Sequence, residues 1–184
     1  LGRGKPAGRN YDRPLEDPWP VTRPEDMAAV QRVFESGQFV GIHHPEVEAL
    51  EQEYAAFVGT KHALAVGSGT ASLHAAVAAA GCQPGDEVIV PALTFLASAS
   101  AILHHLSIPV FVDIDPRTFN LDPGSVEAAI TRRTRAIMAV DLHGLPADYD
   151  ALHAIARRHS LLVISDAAHA MGATYRGRNV GSLG

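Results

Sequence analysis

The sequence predicts an α/β domain of three layers, with a mostly parallel sheet between two layers of helices. Three observations predict it. After residue 60, short apolar runs and helical patterns alternate five times. The runs are continuously apolar, as strands buried on both faces of a parallel sheet must be. Gly, Pro or Asp punctuates the junctions, which suits right-handed crossovers between parallel strands.

The elements follow in order. Residues 1–21 hold Pro6, Pro14, Pro18 and Pro20 in a Gly- and Arg-rich setting, and read as an arm. Thr22 to Ser36 reads as a helix. Thr22 is its expected N-cap with Glu25 three residues on, Met27, Val30, Val33 and Phe34 keep helical spacing, and Gly37 ends it. A second helix is expected from Pro45 to Phe57, closed by Gly59. Ala63–Val66 reads as a short buried strand, and Gly67-Ser68-Gly69 as the turn into a helix from Thr70 to Ala80. Strands are then expected at Glu87–Val90, Pro109–Val112, Ala136–Val140 and Leu161–Ile164. Helices are expected at Phe95–His105, Asp122–Ile130 and Asp148–His159.

Composition narrows the function classes. The 184 residues are 47% apolar with a net charge of −5, so the chain can build a core and has no block of basic residues to track a nucleic acid. Arg132, Arg133 and Arg135 read as a solvated loop. Cys82 is the single cysteine, which excludes an internal disulfide and fits a reducing cytoplasm. No apolar run is long enough to span a bilayer, and the first twenty residues lack the apolar centre of a secretory signal. Both ends read as cut: the chain begins with Leu1, and it stops at Gly184 in a turn-like run.

In sheets of this kind ligands bind at the carboxyl ends of the strands. That rule selects Gly67–Thr70, Thr94–Phe95, Asp113–Asp115 and Asp166–His169. Gly67-Ser68-Gly69-Thr70 can offer backbone N–H groups and hydroxyls to an anion, or it can be a tight turn capped by Thr70. A dinucleotide fingerprint would need glycine where Ser72 stands and an acid where Pro91 stands. Asp166, at the end of an apolar strand, needs a cationic partner if it is buried. A protonated pyridine nitrogen is one such partner; a metal, a helix N-cap or a structural ion pair are others. Phe95 can stack on a flat ring, although ordinary core is the plainer reading. The ten histidines form no metal-binding pattern, and no nucleophile elbow is present.

Taken together and in order, these segments resemble the DegT/DnrJ/EryC1/StrS family of pyridoxal-phosphate-dependent sugar aminotransferases. The resemblance rests on Gly67–His74 (GSGTASLH), Gly85–Pro91 (GDEVIVP), Thr94-Phe95, Pro109–Asp115 (PVFVDID), Asp166–Ala170 (DAAHA) and Gly177–Gly181 (GRNVG). It covers roughly Thr22 to Gly184 and implies the large domain of a fold-type I transferase with its C-terminal part missing. It further implies a homodimer with active sites at the subunit interface. Carried over by position, Ser68, Gly69 and Thr70 would bind the cofactor phosphate, Phe95 would stack on the ring, Asp166 would pair with the pyridine nitrogen, and His169 would lie near the ring hydroxyl. The implied reaction moves an amino group from glutamate or glutamine to a keto-sugar nucleotide or a cyclitol ketone. The Schiff-base lysine of that family is expected beyond Gly184. Lys5 and Lys61 are the two lysines present, and neither sits where it could replace that residue, so these 184 residues alone are expected not to transaminate. The alternatives are a sugar dehydratase of the same fold, a lysine-free binding protein, and a nucleotide-binding oxidoreductase, which Ser72 disfavours.

Overall fold

A computed structural model describes residues 22–184; the expected arm of residues 1–21 lies outside them. The chain divides into two compact units at Val47/Glu48.

In the first unit, α1 (Pro24–Ser36) starts two residues later than expected. Its N-cap is Arg23 rather than Thr22, and the Arg23 N–H donates to Asp26 Oδ2 at 2.8 Å, so Asp26 takes the part expected of Glu25. Proline at the first helical position favours that start because it has no N–H to satisfy. Gly37, in the left-handed region at φ 65°, ends the helix as expected. Helix α2 (Pro45–Val58) begins in the first unit, runs on into the second from Glu48, and is followed by Gly59 at φ 82°.

The second unit holds the sheet. Helix α3 is Gly69–Ala79, β1 is Glu87–Pro91, α4 is Leu96–His104 and β2 is Ile108–Val112. Helix α5 is Pro123–Ala128, β3 is Thr134–Val140, α6 is Tyr149–His159 and β4 is Leu162–Asp166. All pairings in this sheet are parallel, in the order β2-β1-β3-β4. Asp122 and Asp148 cap α5 and α6 by accepting from Ser125 N and Ala151 N.

The continuous apolar runs are explained by where alternate side chains go. Val88, Val90, Ala136, Met138 and Ile164 pack on one face with Leu73 and Val77 of α3 and Ala101 and Ile102 of α4. Ile89, Ile137, Ala139 and Val163 pack on the other with Val126 of α5 and Leu152 and Ile155 of α6. Over Val88–Val90 of β1 and Ala136–Val140 of β3 each face is covered, so neither residue of an alternating pair can be polar, whereas at the edge strand β2 Phe111 is exposed. Cys82 is buried in the first of these clusters as a packing residue.

Two expectations about strands need correction. Ala63–Val66 is not a strand. Leu64 is 76% exposed, and the Ala65 N–H donates to Glu51 Oε1 at 2.8 Å instead of to a neighbouring strand. A run of apolar residues becomes a strand only where another strand satisfies its backbone, and among the described residues none lies beside this one. A second, two-stranded sheet was not expected: β5 (Thr174–Tyr175) pairs antiparallel with β6 (Arg178–Asn179) across Arg176-Gly177, both at positive φ.

The arginine cluster is also more structured than a solvated loop. Arg133 pairs with buried Glu87 and Arg135 with Asp86, tying the entry of β3 to that of β1. Among the described residues, no helix is long and apolar enough to cross a membrane.

Candidate active site

A cleft of about 200 Å³ lies at the carboxyl ends of β1, β3 and β4. Its lining includes Gly69, Thr70, Thr94, Phe95, Asp166 and His169. Three of the four places selected by the sequence therefore converge. The fourth does not: Asp115 closes its own turn by pairing with Arg117, whose side-chain and backbone hydrogen bonds hold the carboxyl at a pKa of about 2.

One wall is the start of α3. Ser68, not Thr70, is the N-cap; its Oγ accepts from Ala71 N at 3.2 Å. Ser68 is absent from the lining, so of the expected phosphate-binding residues only Gly69 and Thr70 reach the cleft. Their N–H groups belong to the first helical turn and have no acceptor within the helix. A Cβ built on Gly69 would meet no atom within 4 Å, and its φ is not in the left-handed region. Neither packing nor backbone conformation within the chain requires glycine here. The space it keeps open belongs to the cleft.

Phe95 is the residue before α4 and is 71% exposed, so the reading of it as core is overturned. Its ring is free to meet a flat partner.

The floor is Asp166, the last residue of β4 and 8% exposed. Its Oδ2 accepts from the Ser98 hydroxyl at 2.7 Å and its Oδ1 from Ala168 N at 3.3 Å. Turns, not a helix, follow β4, which removes the N-cap reading. Among the described residues no Arg, Lys or His forms an ion pair with it, so no structural ion pair accounts for it there. A buried carboxylate whose donors among the described residues are neutral is suited to an outside cation.

His169 is exposed at the opposite side. Its Nδ1 accepts from His143 N at 3.5 Å, and its ring stacks on that of His143 with centroids 6.0 Å apart and planes 19° apart. His143 holds a positive φ of 56°. Lys61 is not among the lining residues, and among the described residues no group of three or more His, Cys, Asp or Glu side chains is placed to hold a metal ion.

Two participants escaped the sequence reading. Ser98 lies 68 residues from Asp166 in the chain. A hydroxyl four residues after Thr94 was the available sign, and it is common in helices. Asp141, wholly buried just past β3, accepts from Ala147 N at 2.8 Å and from the Tyr149 hydroxyl at 2.9 Å. A carboxylate ending an apolar strand was the sign missed there. Burial pushes the Asp141 carboxyl above the usual range, and the neighbouring Asp166 adds to the rise. The Tyr149 hydroxyl is pushed up by burial and by Asp141.

Comparison with known proteins places this arrangement. Residues 20–184 match the model of the DegT/DnrJ/EryC1/StrS aminotransferase family. The chain is 50% identical over 175 residues to an L-glutamine:2-deoxy-scyllo-inosose aminotransferase of Streptomyces lividus, covering 90% of this chain and 41% of that protein. The crystal structure of 3-amino-5-hydroxybenzoic acid synthase is 44% identical with a TM-score of 0.87, over 90% of this chain and 43% of that one. The PLP form of a putative sugar aminotransferase from Streptococcus pneumoniae is 34% identical with a TM-score of 0.80, over 85% and 43%. The chain thus spans about two fifths of the length of these relatives, and its α/β architecture is that of fold-type I transferases.

Proposed function

This chain belongs to the DegT/DnrJ/EryC1/StrS aminotransferase family, and from that premise we propose that its cleft is the pyridoxal phosphate site of an aminotransferase acting on a keto-sugar nucleotide or cyclitol ketone. The observation that carries this reading is the meeting, in one cleft, of an open helix N-terminus, an exposed aromatic ring and a buried carboxylate that pairs with no cation among the described residues. A phosphate, a flat ring and a protonated ring nitrogen are the complements of those three features.

The roles follow from the chemistry of each group. The N–H groups of Gly69 and Thr70, with the Thr70 hydroxyl, hold the phosphate at the positive end of α3. Phe95 covers one face of the ring and keeps water from it. Asp166 keeps the ring nitrogen protonated, because an ionised carboxylate in a buried setting stabilises the cation beside it. His169 holds the ring oxygen. Bound there, pyridoxal phosphate supplies the electron sink that lets an amino group leave one carbon and join another.

Glutamine or glutamate is the proposed donor, supported by the Streptomyces relative named for glutamine. The proposed assembly is a homodimer. Leu96 and Met171, next in the chain or close to lining residues, are 74% and 76% exposed and suit an interface at the cleft mouth. The free, buried Cys82 accords with a cytoplasmic setting. Lys61 lies off the cleft, which supports the reading that these 184 residues bind the cofactor without forming its covalent link.

Titration with pyridoxal phosphate, followed by its absorbance, tests the site. Saturable binding is expected, weakened in both Asp166→Ala and Phe95→Ala. Absence of saturation, or binding indifferent to both changes, overturns the assignment. Borohydride reduction of the 184-residue chain with peptide mapping is expected to label Lys61 no differently in the wild type and in Asp166→Ala, as befits a lysine off the cleft.

A further inference from the structure

Ser98 is fully buried and does not line the cleft, yet its hydroxyl makes the shortest contact to Asp166, at 2.7 Å. A second hydroxyl, Thr94 Oγ1, lies 2.8 Å from Ser98 Oγ. The three groups form a line from the cleft wall, through the first turn of α4, to the floor.

The direction of the protons in that line follows from chemistry. The Ser98 hydroxyl donates to Asp166 Oδ2, so its one proton is committed there. Ser98 Oγ is then left as an acceptor, and Thr94 must be the donor to it. Ser98 therefore has one orientation, fixed from both sides, and Asp166 Oδ2 is fixed by it. Oδ1 is held from the other side by Ala168 N. A carboxylate at a strand end turns about its Cα–Cβ and Cβ–Cγ bonds, and these bonds remove that freedom before any ligand arrives.

We infer that Ser98, through the Thr94–Ser98–Asp166 line, is a positioning residue that presets the Asp166 carboxylate for the ring nitrogen of the cofactor. The inference rests on the proposed role of Asp166. It has a corollary for Thr94, which lines the cleft: with its proton spent on Ser98, it meets a bound molecule only as an acceptor.

The test compares two ligands that bind without a covalent link: pyridoxamine phosphate and its 1-deaza analogue, in which a carbon replaces the ring nitrogen. Dissociation constants are measured by calorimetry on the protein as expressed from its own gene, for the wild type, Ser98→Ala, Asp166→Ala and the double variant. Ser98→Ala is expected to weaken pyridoxamine phosphate about tenfold, the size of one hydrogen bond to a charged group. It should leave the analogue unchanged and add nothing in the Asp166→Ala background. Unaltered binding of the analogue shows that the variant site is folded. If Ser98→Ala leaves the affinity for pyridoxamine phosphate intact, or weakens both ligands equally, the positioning role is overturned while that of Asp166 stands. If the wild type fails to distinguish the two ligands, the role of Asp166 is overturned and the inference falls with it.

Discussion

Two buried carboxyls, Glu87 and Asp141, respond to pH in opposite senses. The Glu87 side chain is 4% exposed and accepts from Thr131 Oγ1 and from Arg133, with Thr131 contributing most to holding its pKa below the usual value. A carboxyl whose pKa falls on folding adds stability above its unfolded pKa, and that stability is lost as pH drops through the folded one. Asp141 is raised instead, so its contribution is full below the unfolded pKa and is lost as pH climbs through the raised value. Denaturant titrations between pH 3 and 8 are expected to show Glu87→Gln about 1–3 kcal/mol less stable at neutral pH, with the gap narrowing in acid. Asp141→Asn is expected to flatten the decline on the alkaline side; an unchanged profile in either variant contradicts its assignment. At this scale the sequence revealed the groups that line the cleft and hid those behind them. Gly69, Asp166 and His169 sit in recognisable runs. Ser98 and Asp141 acquire meaning only when distant segments meet.

For the elements, the start of α3 gives the sharpest expectation. Glycine there is neither strained nor crowded, so Gly69→Ala should leave thermal stability unchanged or raise it by about 0.5–1 kcal/mol, the gain from a better helix former. The same change should weaken phosphate binding, since the new methyl enters space kept open at the cleft. Ser68→Ala should behave in reverse, costing about 1 kcal/mol as a lost cap. Paired melting and calorimetric titration of the two variants separates these effects. The strands of the main sheet were readable because burial on both faces leaves an unbroken apolar run. The same logic fails at Ala63–Val66, where composition is right and the described residues supply no backbone partner. The β5–β6 hairpin was unreadable because two-residue strands carry no periodicity.

Across the whole molecule, large apolar side chains remain on the surface in both units: Met27 and Phe34 are 61% and 68% exposed in the first, Phe95 and Leu96 71% and 74% in the second. Patches of this kind mark association surfaces. Sedimentation equilibrium is expected to show a dimer that dissociates more readily in Phe34→Glu, with an unchanged circular dichroism spectrum; a monomeric wild type contradicts the proposed assembly. The layer order was legible from alternation alone, whereas the strand order was not, because parallel neighbours are joined by crossovers that conceal who sits beside whom. That order carries a cost during synthesis. β1 leaves the ribosome first but occupies the interior of the sheet, between β2 and β3. Some forty residues separate the end of β1 from the start of β3, and at roughly 5–20 residues per second they take several seconds to appear. Throughout that interval Val88-Ile89-Val90 is a nascent apolar strand with an open edge, exposed to mispairing until β3 arrives.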